Sequence, residues 1–296
     1  MPRLSIALAA ILWGTTGTAQ ALASAQAHPL AVGAVRLILG TACLWAVAWW
    51  TDRPGLHHPW PRRLTIGAGV GVALYQASFF AAVQAMGVAA GTIMAIGSAP
   101  VAAGILGFLL HKERPSAAWY PATFLAILGC TALAAEPETD FSWKGAPLAI
   151  TAGAAYALYS AACKHLMVSR APTTAMAGIF ATAALILCPI LFFLDLSWMA
   201  TPRATLAMVH LGLVATALAY VLFSHGLRTT PVSSAVTLSL LEPLTAALLG
   251  TLLLDEILTT RQRIGIVSIL LGMGILALEA LPVPRRLRIT TEKQRR

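Results

Sequence analysis

Two charged residues stand alone in long apolar stretches, Glu242 in SLLEPLT and Arg36 in GAVRLIL. Burying an unpaired charge is costly, so each implies a partner or a use. Glu242 either binds an ammonium group or carries a proton, or it is held by an arginine, a neighbouring helix end or backbone donors freed at a kink. Arg36 either grips a carboxylate through its guanidinium fork or, near the end of its stretch, reaches to the interface or caps a helix. Histidine is the residue type suited to proton exchange under physiological conditions, so His225 and His210 enter as proton carriers or as hydrogen-bonded packing; His225 joins Glu242 as a coupling candidate. An aromatic set, Trp13, Tyr75, Phe79, Tyr156, Tyr159, Tyr220 and Phe223, falls at mid-stretch with Gln76, Ser98 and Ser239 as polar neighbours. Singly each aromatic is a core residue. Together they make an apolar wall with a few polar tips, which suits an amphipathic small molecule. Pro100 and Pro243 each remove a backbone donor and crowd the carbonyl four residues back, so they are expected to bend their stretches as hinges and to free the carbonyls of Ile96 and Ser239.

The stretches that must position these residues are membrane-spanning by composition. The chain of 296 residues is 58% hydrophobic and 10% charged, against about 25% charged in soluble domains. Turn and charge signals mark off ten apolar runs, at about 4–23, 30–50, 64–85, 91–110 and 118–135, then 145–163, 174–194, 205–226, 233–253 and 263–281. Runs near 20 residues fit helices and are about twice the length a barrel strand needs. The expected fold is an all-α integral membrane bundle of ten transmembrane helices, with the lipid bilayer as its surroundings. The net charge of +9 lies in short loops and in the tail PRRLRITTEKQRR, where membrane orientation accounts for it without nucleic acid. Cys43, Cys130, Cys163 and Cys188 all sit inside apolar runs without CxxC spacing, which suits packing and neither a disulfide framework nor a metal site.

The chain also repeats itself. SAPVAAGILGFLLHKE at 98–113 and LEPLTAALLGTLLLDE at 241–256 align Pro100 with Pro243, Gly107 with Gly250 and Glu113 with Glu256, at a constant shift of 143 residues. The same shift places Gly129 on Gly272, Glu136 on Glu279 and Trp13 on Tyr156. Residues 1–140 and 141–282 are therefore two copies of one five-helix unit, and 283–296 form a basic tail. The N-terminal run followed by ASAQA imitates a secretory leader, yet half of a repeat pair lies within it, so it is expected to be retained. With the N-terminus inside, fifteen Lys and Arg fall on the cytoplasmic side and Lys144, Arg203, Arg261 and Arg263 on the other, which places both termini in the cytoplasm. Five helices per copy, an odd number, make the second copy inverted, the plan of many secondary transporters with a midplane site. Small-residue pairs at Gly67/Gly71, Ala103/Gly107 and Ser268/Gly272 pack helices closely, and the last would also serve a weak homodimer of an otherwise monomeric bundle. No P-loop, HExxH, nucleophile elbow or paired intramembrane carboxylate is present, so ATP-driven and enzymatic chemistry have no motif to rest on, and no cofactor is called for.

Trp13–Gly14 in the first run, Arg36 in the second, a proline in the fourth and ninth, a glutamate closing each of those, and a glycine in the fifth and tenth resemble the EamA family of the drug/metabolite transporter superfamily. The resemblance covers nearly the whole chain, in both copies. Within it the aromatic positions are most similar to the YddG-type amino-acid exporters, although Ala99 stands where some of these carry a bulky aromatic. The resemblance implies a basket of ten helices with the fifth and tenth at the periphery, a central cavity lined by the others, and export of neutral or aromatic amino acids and related metabolites across the inner membrane. A proton-coupled multidrug or metabolite exporter is the alternative within transport, and a membrane enzyme or sensor the alternative outside it.

Overall fold

The computed structural model describes residues 2–23, 28–86, 88–134, 145–253 and 257–279. Every regular element among them is helical. The first half holds α1 (Pro2–Ala23), α2 (Pro29–Thr51), the short α3 (Arg53–His57), α4 (Arg62–Met86), α5 (Val88–His111) and α6 (Trp119–Ala134). The second holds α7 (Ala146–Leu166), α8 (Pro172–Leu187), α9 (Pro202–Gly212), α10 (Ala219–Leu227), α11 (Val232–Leu238), α12 (Leu241–Leu253) and α13 (Thr260–Glu279). Among the described residues eight stretches are long and apolar enough to cross a membrane, and Trp119–Leu133 is a shorter apolar helix. α1, with 22 residues, is about 33 Å long at 1.5 Å per residue, close to the ~30 Å of a bilayer core. The chain is a multi-pass membrane protein. Glu256, the acidic linker at 136–144 and the basic tail lie outside the described residues.

Local chemistry starts and interrupts these helices. Pro29, Pro172 and Pro202 open α2, α8 and α9, where a missing N–H costs nothing and φ is already helical. The Thr201 hydroxyl accepts from the Ala204 amide at 3.3 Å and caps α9. The runs expected at 174–194, 205–226 and 233–253 are each interrupted. Past α8 the chain tightens into a 3-10 turn at Cys188–Phe193, whose second residue is Pro189. Between α9 and α10 it widens into a π turn at Leu213–Leu218, where the Thr216 hydroxyl reaches back to the Leu211 carbonyl at 2.7 Å. α11 stops at Leu238 and α12 starts at Leu241. There the Ser239 hydroxyl bonds the Ala235 carbonyl, and the Ser239 carbonyl, which Pro243 cannot serve, takes the Glu242 amide at 3.0 Å. α5, by contrast, runs through Pro100 unbroken.

The helices pack as α6 with α13, α4 with α7 and α8, α5 with α7, α1 with α10 and α12, and α2 with α8 and α9. Glycines set the close approaches, and those approaches recur. A Cβ on Gly129 of α6 would strike the Gly265 carbonyl and Ile269 of α13; a Cβ on Gly272 of α13 would strike the Ala122 carbonyl and crowd the Ala126 amide of α6. Each partner has moved by 143 positions, one forward and one back. Gly69 against Thr182, between α4 and α8, likewise answers Gly212 against Leu39, between α9 and α2.

Candidate functional site

The seven aromatics form one connected chain of rings. Phe79 lies 6.0 Å from Tyr75, Tyr75 5.6 Å from Tyr156 and Tyr156 5.2 Å from Tyr159, between ring centroids. The Tyr159 and Tyr220 hydroxyls are 3.4 Å apart, and Trp13 sits 4.9 Å from Tyr220 and 5.2 Å from Phe223. α4, α7, α10 and α1 supply these rings, so packing of four helices builds the wall.

The wall faces a cavity with two joined chambers. The inner one, about 100 Å³, is lined by Tyr75, Phe79, Thr92, Ala95, Ile96, Ala99, Gly153, Tyr156, Val236, Ser239, Leu240 and Glu242. The outer one, about 470 Å³, shares Tyr75, Phe79, Thr92, Ile96 and Glu242 with it and adds Trp13, Arg36, Gln76 and Pro243. It runs out to exposed Gly17 and Pro29, where α1 finishes and α2 begins. The outer chamber is of a size that suits a small metabolite. Glu242 lies at the junction of the two chambers. Among the described residues the ion pairs are Arg3–Glu279 and Lys164–Glu113, and Glu242 belongs to neither. The indole N–H of Trp13 and the hydroxyl of Thr16, both on cavity-lining residues of α1, are buried without a hydrogen-bond partner among the described residues.

Across from α12, Arg36 of α2 donates from Nη2 to the Gln76 Oε1 of α4 at 3.1 Å. Gln76 is 4% exposed, and its amide occupies the notch at Gly33, one turn before Arg36; a Cβ there would stand 3.2 Å from the amide nitrogen. The glycine therefore lets the amide come close enough to hold the guanidinium.

The opposite end of the bundle is shut by polar ties between loops and helix ends. Glu113 binds Lys164 at the end of α7 and accepts the Val232 amide at 2.8 Å, while Lys164 also reaches the Thr230 carbonyl at 2.5 Å. Arg170 bonds the carbonyls of Gly55, His58 and Pro59 and stacks on Trp60 at 4.4 Å. Asp52 accepts from the Thr174 hydroxyl at 2.6 Å. Nearer the cavity, Thr237 takes the Trp119 indole at 3.0 Å and meets the Thr123 hydroxyl at 2.9 Å.

Of the residues singled out from sequence, Trp13, Tyr75, Gln76, Phe79, Tyr156, Ser239, Glu242 and Pro243 line the cavity. Tyr220 borders a small adjoining void with Arg36, and Tyr159 and Phe223 are buried behind the wall. Ser98 is absent from the lining: its hydroxyl bonds the Ala95 carbonyl at 3.0 Å, close against Gly153 of α7. His225 is exposed on α10 and bonds the Val221 carbonyl of its own turn. His210 reaches the Thr15 hydroxyl at 2.8 Å beside a separate lateral groove. Thr92, Gly153 and Leu240, which carry no chemical signal in the sequence, line the inner chamber.

The EamA-like transporter family matches residues 3–135 and, a second time, residues 143–278. An uncharacterized transporter of Bacillus subtilis (strain 168), YwfM, is 42% identical over 275 residues, covering 93% of each chain. An uncharacterized transporter of Archaeoglobus fulgidus is 32% identical over 218 residues, which is 73% of this chain and 76% of that one. A solved crystal structure superimposes with a TM-score of 0.82 over 97% of this chain and 98% of its own, at 21% identity, a likeness of fold.

Proposed function

This chain belongs to the EamA-like transporter family, and on that premise we propose that it exports small amphipathic metabolites bearing an amino group, neutral and aromatic amino acids first among them, by alternating access. The carrying observation is Glu242. Its carboxylate lacks an ionic partner among the described residues, yet it borders a cavity walled by a continuous aromatic chain. An anionic side chain retained at bilayer depth is the natural contact for an ammonium, and the tyrosine and tryptophan faces suit the side chain attached to it. Glu242 is also the titratable group best placed to couple transport to protons, since His225 turns away from the cavity.

The machine is read as ten transmembrane helices in two inverted repeats of five. The interhelical contacts that recur at a shift of 143 support this reading. The excess of Lys and Arg at the tied end of the bundle supports reading that end as cytoplasmic in a bacterial cell, with the open chamber facing outward. Purified protein in liposomes, loaded with unlabelled amino acids, is expected to accumulate labelled tryptophan, phenylalanine or leucine by counterflow. Folded, monodisperse protein that exchanges no amino acid in such a panel overturns the reading.

A further inference from the structure

The outer chamber carries an arginine and a glutamate that make no direct ion pair. Arg36 and Glu242 both line it, one on α2 and the other on α12, and among the described residues neither forms an ion pair. Arg36 is engaged instead by the neutral amide of Gln76, through one of its five donors. An amide oxygen can orient a guanidinium and cannot cancel its charge. The second half of the chain contains no counterpart: the position 143 residues beyond Arg36 is Ile179, fully buried in the core, and the one beyond Gln76 is Ala219. Nor does Glu242 have one in the first half, where Ala99 stands. The repeat accounts for the scaffold and leaves both charges as additions to it. Each addition is unfavourable in a low-dielectric setting unless a ligand or water meets it.

We propose that Arg36, aimed by Gln76, receives the carboxylate of a substrate whose ammonium meets Glu242, so that the cavity selects zwitterions and rejects simple organic cations. This rests on the reading above that the cavity is the transport site, and it adds the second pole. A carboxylate across the free edge of the guanidinium gains a paired hydrogen bond that a carboxamide cannot match. A cation without a carboxylate meets Glu242 with Arg36 left as a like charge in the same chamber, which is a repulsive element against it. Arg36 is thus a specificity residue, and Gln76 and Gly33 are the residues that position it.

The test is equilibrium binding to the full chain in nanodiscs with three probes of one side chain: phenylalanine, phenylalanine amide (cation only) and N-acetylphenylalanine (anion only). Glycine betaine, a zwitterion whose quaternary ammonium carries no N–H donor, is the fourth. Wild type is expected to hold phenylalanine about tenfold or more tighter than the amide, as an unpaired polar group at the site dictates. Arg36→Gln lowers phenylalanine to the level of the amide while binding of the amide holds or strengthens; Arg36→Lys restores part of the gap, and Gln76→Leu narrows it. Equal binding of phenylalanine and its amide by wild type overturns the proposal. So does an Arg36→Gln protein that loses both in the same proportion, the mark of a structural role. Betaine binding without phenylalanine binding keeps the two poles and overturns the amino-acid reading instead. A folded wild-type protein that binds no zwitterion overturns the poles themselves.

Discussion

The Tyr156 hydroxyl and the Ser239 Oγ lie 2.8 Å apart although 83 residues separate them in the chain. The bond joins the aromatic wall on α7 to the break between α11 and α12, two residues after which Glu242 enters the cavity through its backbone bond to Ser239. A molecule that pushes on Tyr156 therefore acts on the one interrupted segment that also holds the carboxylate.

Tyr156→Phe deletes this link without stranding its partner, because Ser239 keeps its bond to the Ala235 carbonyl at 3.1 Å. A stability loss of about 1 kcal/mol is expected, with counterflow reduced more than the melting temperature implies. Ser239→Ala added to Tyr156→Phe should cost little more in transport. Full additivity of the two in counterflow assays would show that the bond does not couple them.

Glu242→Gln keeps the shape of the side chain and removes its charge. Affinity for amino-acid substrates is expected to fall by about tenfold or more, as for a charged hydrogen bond made neutral, while the thermal midpoint holds or rises because a buried charge is gone. Unchanged affinity in the same binding assay removes Glu242 from the site.

Gly14→Ala and Gly17→Ala separate packing from open space one helical turn apart. A Cβ on Gly14 strikes Thr245 and comes within 2.7 Å of the Glu242 carbonyl, whereas one on Gly17 meets nothing within 4 Å. The first should destabilise by about 1–3 kcal/mol, the range for overpacking, and the second should hold or raise the thermal midpoint in detergent, since alanine is the better helix former.

Glu113→Ala releases both Lys164 and the Val232 amide at the tied end. Cys163, adjoining Lys164 and 0% exposed, then serves as a native reporter. Its maleimide labelling is expected to rise several-fold relative to buried Cys130 in peptide maps, and the Lys164→Ala protein should behave alike. Labelling that stays at the wild-type level would show that these ties do not hold the end closed.

Much of this was legible in the sequence because it rests on chemistry that a single stretch displays. The shift of 143 residues is a matter of identity between letters, and the aromatic residues betray themselves by sitting away from the interfaces that aromatics usually prefer. What stayed hidden depends on direction. Arg36 and Gln76 are 40 residues apart and meet only because Gly33 leaves a notch. Ser98 has a suitable hydroxyl, and its own helix consumes it. Pro100 and Pro243 look alike as letters, yet two side chains ahead of the second, Thr237 and Ser239, bond carbonyls one turn back, whereas Ser98 does so ahead of the first. The local competition from those side chains separates a broken segment from a continuous one.

The α6–α13 contact has a property that it shares with α2–α8 and α5–α11 and that the other packed pairs lack. Advancing one partner by 143 positions and setting the other back by the same number returns the same two helices, with Gly129 and Gly272 trading places, whereas α4 with α7 becomes α9 and α10 with α1. If the two halves exchange shapes as proposed, a pair that is its own image keeps the same two helices as partners throughout. A crosslink between α6 and α13 should therefore slow counterflow less than one between α4 and α7, whose partners change.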